Sequence, residues 1–217
     1  MKAIILGSSS GIGKSIADNL KGVCKTIIRL NSKDVDTSSL NSVEKFCKKH
    51  NGPDILVLNT GGPKDMKFTE ITDDYWIENF NKLFLSFVNI IKKINVKKNG
   101  YIFLISSYIV KQPSDDLIIS SSLRSGFNSL FKSLSYIYSK KNIKFINIAP
   151  GPIKTKRLMN LIKNDKMSLK QFERTLPGKK IPNPSEIGKF VRFVVKNRII
   201  SLNGTTISFD GNLIKGL

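Results

Sequence analysis

The sequence contains few of the residues that build disulfide frameworks and metal sites. Its 217 residues include 2 cysteines, 1 histidine and 1 tryptophan. Cys24 and Cys47 are too few for a disulfide framework or a zinc site, so a reduced cytoplasm is the simplest setting. His50 stands alone directly before a turn and is interpreted as a surface residue at a helix end. We therefore expect no metal site.

Long apolar runs are also missing from the chain. No stretch approaches the roughly 20 residues that are needed to cross a bilayer. The first predicted strand begins at Lys2, which leaves no room for a cleavable signal peptide. Hydrophobic residues nevertheless make up 40% of the chain and are spread along it, which is enough to bury one sizeable core. We expect a single domain over residues 1–217 and no membrane partner.

Acidic residues are scarce relative to basic ones. The chain has 36 Lys and Arg against 16 Asp and Glu, which gives a net charge of +20. Such an excess can suit a nucleic acid, an anionic membrane surface or an acidic protein partner. The lysines are scattered along every segment, however, and no basic block is interleaved with stacking aromatics. We prefer a general bias toward Lys, Asn and Ile, and nucleic-acid binding remains the alternative.

Short apolar strands alternate with helices along the chain. Strands are predicted at 2–7, 26–30, 54–60, 101–107, 143–150 and 204–211, and helices at 11–20, 39–50, 72–94, 117–140 and 184–197. This alternation predicts one α/β domain of the Rossmann type, with a doubly wound parallel sheet and helices on both faces. No helix fits directly after the second strand. Residues 152–180 are expected to form an excursion over the carboxyl edge of the sheet, where such folds bind ligands.

The segment GSSSGIG lies between the first strand and the first helix. Its glycines would let the backbone turn tightly and approach a pyrophosphate, whose charge would face the helix N-terminus. The spacing differs from the commoner Gly-x-Gly-x2-Gly, but the strand and the helix are both in place. The segment therefore predicts a dinucleotide site. The binding residues predicted here are Gly7, Ser9, Ser10, Gly11, Ile12 and Gly13.

Further motifs follow in an order that resembles the short-chain dehydrogenase/reductase family over nearly the whole chain. LNTGG (58–62) is similar to the family's Asn-Asn-Ala-Gly motif, and PGPIKT (150–155) to the Pro-Gly-x3-Thr turn that holds the nicotinamide. NGTTISFDGN (203–212) resembles the family's last strand. The resemblance implies an NAD(P)-binding oxidoreductase. It adds these cofactor-binding residues: Asp34 against the adenine, Asn59, Gly61, Pro150, Gly151, Ile153, and Thr155 on the carboxamide.

The choice between NAD and NADP depends on the end of the second strand. NAD enzymes of this fold usually carry an acidic residue there, whereas this chain has Arg29, Asn31, Ser32 and Lys33. We therefore expect NADP(H) to be favoured over NAD(H), with Asn31 and Ser32 beside the cofactor. The alternative that Asn31 and Ser32 only form the turn stays open.

The catalytic residues implied by the resemblance are unusual. In the family a serine ends the strand before the active-site helix, and that helix carries a tyrosine followed four residues later by a lysine. Counts forward from Ser107 and back from Pro150 both reach Ser120 at the tyrosine position, which puts Arg124 at the lysine position. The family's helix asparagine falls on Leu83. The implied catalytic residues are therefore Ser107, Ser120 and Arg124.

A pair with the family's Tyr-x3-Lys spacing does occur at Tyr136 and Lys140, but it lies further along the helix. We interpret Tyr136 as a packing or interface residue and Lys140 as a solvated helix end. Arg124 can donate to ribose hydroxyls but does not titrate usefully, and the Ser120 hydroxyl is too weak an acid to replace a phenol unaided. Tyr108 is a candidate for another proton source, and a wall of the cleft is its alternative role.

The departures resemble a divergent branch of the family that is often described as 3-oxoacyl-[acyl-carrier-protein] reductase-like. That likeness implies an atypical reductase, in which hydride passes between NADP(H) and a carbonyl or hydroxyl substrate. Basic residues near the cleft suit an anionic or acyl-carrier substrate: Arg124, Lys154, Lys156 and Arg157. The alternative is a dinucleotide-binding protein that has lost catalysis and acts as a sensor or assembly partner.

The family resemblance also implies a homodimer or homotetramer. In the family two long helices, here 72–94 and 117–140, pair with their counterparts across two-fold axes. The aromatic surface of these helices exceeds what one face against the sheet needs. The residues that carry this prediction are Phe80, Phe84, Phe87, Phe127 and Phe131.

Overall fold

A single parallel sheet organises the protein. The computed structural model describes residues 1–216, and within them six strands are hydrogen-bonded in the order β2-β1-β3-β4-β5-β6, with every neighbouring pair parallel. The strands are β1 Lys2–Ile5, β2 Thr26–Arg29, β3 Ile55–Leu58, β4 Tyr101–Ile105, β5 Lys144–Pro150 and β6 Thr205–Phe209. The prediction of a single doubly wound α/β domain of the Rossmann type is confirmed.

Helices cover both faces of the sheet and begin where capping residues predict. Thr72 accepts a hydrogen bond from the backbone N–H of Tyr75, and Asn183 forms a capping box with Glu186. The helices are α1 Gly11–Asn19, α2 Leu40–Lys49, α3 Asp73–Phe80, α4 Ser86–Lys93, α5 Ile118–Ile137, α6 Lys156–Asn164, α7 Leu169–Thr175 and α8 Pro184–Lys196. A π-helical segment, Asn81–Leu85, joins α3 and α4 into the continuous helix that was predicted. None of the helices in residues 1–216 is long and apolar enough to span a bilayer.

The core lies in two layers, one on each face of the sheet. Successive side chains of a strand point to opposite faces, so Ile4 packs in one layer and Ile5 in the other. Helices α2, α4 and α5 cover the first layer, while α1 and α8 cover the second. Gly188 lets α8 approach α1 closely, because a Cβ at this position would lie 2.5 Å from the Ser15 Oγ. The connections run as predicted, with loop 30–39 leading from β2 to α2.

The helix pair α3–α4 and α5 has less aromatic surplus than the sequence suggested. Phe87, Phe127 and Phe131 are at most 2% exposed and belong to the core against the sheet. Phe80 and Phe84 lie further out and stack on each other, with ring centroids 5.2 Å apart. Three of the five phenylalanines that carried the oligomer prediction therefore belong to the core, because the layer beneath these helices needs their volume, and the oligomer itself stays a prediction.

Candidate active site

A cavity of about 700 Å³ lies at the carboxyl end of the strands. The carboxyl ends of parallel strands meet at one edge of a sheet, so segments that are distant in the chain converge here. Helices α6 and α7, from the predicted excursion over 152–180, close one side. The predicted site residues that line the cavity are Gly7, Ser9, Ser10, Gly11, Ile12, Asn31, Ser32, Asn59, Gly61, Ser107, Ser120, Arg124, Pro150, Gly151, Ile153 and Thr155.

The turn after β1 depends on glycine for two different reasons. Gly7 and Gly11 have φ angles of 62° and 56°, which favour glycine. Gly13 is buried behind the turn, outside the cavity wall, and a Cβ there would lie 2.2 Å from the Gly7 carbonyl oxygen. The structure therefore shows a close approach of Gly13 to the turn itself, and its close approach to a phosphate stays a prediction. The Asn59 amide donates to the same Gly7 carbonyl at 3.0 Å and holds the turn in place.

The end of β2 forms a tight polar loop. Asn31 and Ser32 line the cavity, and Asn31 Oδ1 accepts from the Lys33 N–H at 2.8 Å. Asp34 was predicted to meet the adenine, but its carboxylate accepts from the Asn31 N–H at 2.8 Å and lies outside the cavity wall. The Asp34 carboxylate therefore fixes this loop, whereas the next three residues of the chain line the cavity wall, and contact of Asp34 with an adenine stays a prediction.

Helix α5 carries Ser120 and Arg124 to the cavity one turn apart, beside Ser107 at the end of β4. Arg124 Nε donates to Ser120 Oγ at 3.1 Å, and Arg124 Nη1 donates to the Ile105 carbonyl at 3.4 Å. Arg124 is only 8% exposed. Burial, and then the positive charge of Arg157, lower the pKa of Arg124 to about 10, so the guanidinium stays charged at neutral pH. Among residues 1–216, no carboxylate pairs with it within 4.0 Å.

A second arginine ties the excursion to the loop after β3. Arg157 on α6 donates to the carbonyl oxygens of Gly62 at 3.1 Å and Pro63 at 2.9 Å. Asp65 in the same loop lines the cavity, and burial raises the pKa of its carboxyl although Arg157 opposes the shift. Burial, followed by the charge of Asp65, also raises the pKa of the Tyr108 phenol. The cavity wall thus combines two groups whose pKa is raised, Asp65 and Tyr108, with the cations Arg124 and Arg157.

The sequence matches a known family of proteins. A family model described as enoyl-(acyl carrier protein) reductase matches residues 13–213. The chain belongs to the short-chain dehydrogenase/reductase family. The 3-oxoacyl-[acyl-carrier-protein] reductase FabG of Buchnera aphidicola subsp. Acyrthosiphon pisum is 27% identical over 97% of this chain and 96% of that protein.

Solved structures share the fold of this short-chain dehydrogenase/reductase. An NADP-bound 3-oxoacyl (acyl-carrier-protein) reductase from Agrobacterium tumefaciens C58 has a TM-score of 0.86 at 18% identity, over 97% of this chain and 93% of that chain. An NADPH-bound short chain oxidoreductase from Pseudomonas aeruginosa PAO1, described as containing an atypical catalytic center, has a TM-score of 0.84 at 18% identity. That match covers 100% of this chain and 97% of that chain. These likenesses support the same sheet and helix arrangement.

The predictions from the sequence missed some of the residues that line the cavity of this short-chain dehydrogenase/reductase. Leu83, at the position of the family's asparagine, is 2% exposed and packs in the core, while its neighbour Lys82 lines the cavity. Both lie in the π-helical segment. Because a π-helix has more residues per turn than an α-helix, its side chains face other directions than α-helical spacing predicts. Tyr136, by contrast, is 68% exposed and lies outside the cavity wall, so the apparent Tyr136–Lys140 motif is away from the site.

Proposed function

We propose that the protein is an NADP(H)-dependent oxidoreductase that transfers hydride to or from a carbonyl or hydroxyl substrate. One observation carries the proposal: a single cavity joins the glycine-rich turn after β1 to Ser107, Ser120 and Arg124. Membership of the short-chain dehydrogenase/reductase family supports it, as do the relatives of the same fold that bind NADP or NADPH.

The residues at the turn fit a dinucleotide. Gly11 lies beneath Thr155, and a Cβ on it would come within 3.0 Å of the threonine methyl. Helix α1 begins at this glycine and suits a pyrophosphate, because the first N–H groups of a helix lack intrahelical partners and the first residues of α1 line the cavity. Thr155 and Ile153 would hold the carboxamide end, and Asn59 keeps the turn open. The nicotinamide, when bound, supplies the hydride chemistry.

The cofactor preference that we propose is NADP(H) over NAD(H). Asn31 and Ser32 are neutral residues on the cavity wall at the end of β2, where an acidic residue would repel a 2′-phosphate. Arg29 is not available for that phosphate, because it pairs with Asp18 at 2.7 Å. Hydrogen bonds from Lys14 and then Arg29 hold the pKa of Asp18 near 2, so this pair persists at neutral pH.

Calorimetric titration should therefore show NADPH binding about tenfold more tightly than NADH, a difference of about 1.4 kcal/mol. The expected margin is modest because Asn31 and Ser32, the cavity-lining residues directly after β2, carry no charge, and Asp36 further along the loop is acidic. Ser32→Asp is the matched variant, since it restores an acidic residue and should reverse the preference. Equal affinities in the parent protein, or no change in Ser32→Asp, would contradict the assignment.

The substrate that we propose is anionic or an acyl thioester. The charged residues on the cavity wall are Lys82, Arg124, Lys156 and Arg157 against Asp36 and Asp65, so cations are in excess. Arg124 is the buried cation among them, and a desolvated charge without a counter-ion is unfavourable, so an anionic ligand would stabilise it. A carboxylate or the phosphate of an acyl carrier would meet it with a charge-assisted hydrogen bond.

The proton for such a reduction has an unusual source. Ser120 accepts from Arg124, and an unaided hydroxyl is a poor acid. Tyr108 lines the cavity next to Ser107 and is the residue that we propose as the acid. Its raised pKa keeps the phenol protonated but makes it a weaker donor than an activated tyrosine. This weakness favours the second candidate function, a dinucleotide-binding sensor or assembly partner without turnover.

A hydride-transfer assay separates the two candidates. With NADPH and acetoacetyl-coenzyme A, the reduced-nicotinamide absorbance should fall, at a rate that a missing activated acid lowers by about 10²–10⁴ relative to ordinary family members. Tyr108→Phe should slow it further without weakening NADPH binding. Binding of NADPH without any oxidation, across acyl thioesters, keto acids and neutral ketones, would contradict the reductase and leave the sensor.

A homodimer or homotetramer in a reducing cytoplasm is the setting that we propose. Phe80 and Ile77 lie on the outer side of α3 and are 38% and 59% exposed, which leaves an apolar strip beside α5. Tyr136 and Ile137 at the end of α5 are each 68% exposed. Both cysteines are free and buried thiols, as a reducing compartment allows.

A further inference from the structure

A second cavity, of about 800 Å³, lies at the opposite edge of the sheet from the active site. Tyr101 and Lys144 begin β4 and β5, and Asp54 immediately precedes β3. Since the strands are parallel, their amino ends form the edge away from the cofactor cavity. The far wall comes from the end of α8 and the residues that follow it.

The walls of this cavity are strongly basic. Their charged side chains are Lys98, Lys144, Arg192, Lys196 and Arg198 against Asp54. The Asp54 carboxylate is already engaged, because it accepts from the Lys2 N–H at 2.6 Å and lies 3.9 Å from Lys97 Nζ. Within the described residues, 1–216, none of the five cavity cations has an acidic partner within 4.0 Å. The positive charge of the cavity is therefore uncompensated.

Lys144 is the most telling of these cations because it is only 4% exposed. Its Nζ makes one long hydrogen bond, to the Asn99 carbonyl at 3.4 Å, and lies 5.1 Å from the centroid of the Tyr101 ring. An ammonium has three donors, so it retains the capacity to bind a ligand in the cavity. Burial lowers the pKa of Lys144, because its ammonium group has lost part of its hydration.

The surroundings of Lys144 are held in place rather than loosely arranged. Arg192 Nη1 donates to the carbonyl oxygens of Asn19 and Lys21, each at 2.8 Å. Across the cavity, the Asn142 amide donates to Asn99 Oδ1 at 2.7 Å. Binding groups that are already fixed lose little conformational freedom when a ligand arrives.

We propose that this cavity binds the phosphate or pyrophosphate group of a small phosphorylated molecule. Lys and Arg are the side chains that recognise phosphate. Here five of them line one cavity, and its single acidic residue, Asp54, is already engaged by other groups. The volume is in the range of small-molecule sites, and Val23, Val195 and Ile200 provide apolar wall for the rest of such a molecule. A nearly buried lysine favours a small ligand over a nucleic acid, which needs an exposed basic stripe.

Pyrophosphate is the probe for the test, titrated by calorimetry at constant ionic strength with saturating NADPH present to occupy the other cavity. We expect saturable binding. Lys144→Met should weaken it at least about tenfold, as loss of a charged hydrogen bond predicts. Arg198→Asn should weaken it about threefold, because Arg198 is exposed. Asparagine also tolerates the φ of 52° at this position, so that variant should fold even if Lys144→Met does not.

Two control variants make the result decisive. Lys45→Met removes an exposed lysine of α2 that lies outside both cavities, and it should leave pyrophosphate binding unchanged. Arg124→Met removes a cation from the active-site cavity and, with NADPH raised until it saturates this variant too, should also leave pyrophosphate binding at the second cavity unchanged. The proposal is overturned if no saturable binding appears at millimolar pyrophosphate, or if Lys45→Met weakens binding as much as Arg198→Asn. Loss of binding in Arg124→Met but not in Lys144→Met and Arg198→Asn would overturn it as well.

Discussion

Replacement of Gly13 with valine is expected to abolish NADPH binding. A Cβ at Gly13 would lie 2.2 Å from the Gly7 carbonyl oxygen and 2.8 Å from the Asn59 amide nitrogen. The first of these neighbours is backbone and belongs to the turn that would meet the pyrophosphate, so it cannot move without opening that turn. We expect the NADPH affinity to fall by more than about a hundredfold and the free energy of unfolding to fall by about 1–3 kcal/mol.

Gly188→Ala is the matched control for this experiment. A Cβ at Gly188 would also meet a neighbour too closely, at 2.5 Å from the Ser15 Oγ, but the contact lies between α1 and α8 rather than in the turn. This variant should lose stability and keep NADPH binding when measured well below its melting temperature. Parent-like NADPH binding by Gly13→Val would show that the cofactor site is assigned to the wrong turn. Equal losses of affinity in both variants would show a global effect of stability.

Replacement of Arg124 with methionine is expected to weaken binding of the reduced cofactor or the anionic substrate by about 1.5–3 kcal/mol, the contribution of a charged hydrogen bond. The same change should alter the free energy of unfolding little or raise it, because methionine fills similar volume without a buried charge. Arg124 is 8% exposed, and its Nε and Nη1 bind only neutral oxygens of Ser120 and Ile105. Opposite effects on binding and stability would identify a residue kept for its ligand.

Two further variants help to distinguish a binding role of Arg124 from a structural one. Arg124→Lys should recover only part of the lost affinity, since an ammonium lacks the planar fork of donors. Tyr136→Phe, on the same helix but 68% exposed, should leave cofactor binding and turnover unchanged. If Arg124→Met binds NADPH and substrate as the parent does, Arg124 is structural and the sensor function is strengthened. A large loss of turnover in Tyr136→Phe would instead show that the site was placed wrongly along α5.

Local patterns in the chain predicted the elements and much of the cavity wall. The alternation of apolar strands and amphipathic helices predicted the parallel sheet, and the helix predicted from residue 72 begins at the cap that Thr72 forms. The glycine-rich turn predicted one side of the cavity, and the resemblance of the Pro-Gly turn to a family motif implied another. These features depend on residues that are neighbours in the chain, where period and turn chemistry are visible directly.

Contacts between distant segments were beyond such patterns. Asp34 matches a family position and its carboxylate also holds a loop, and Gly13 packs closely against the Gly7 carbonyl. Arg157 reaches Gly62 across 95 positions of the chain, and no periodicity encodes that distance. The basic cavity at the amino ends of the strands is likewise lined by lysines and arginines that are scattered in the sequence and were interpreted there as compositional bias. The charge and shape of a site arise when the strands bring remote residues together. They can therefore be determined only from the tertiary structure.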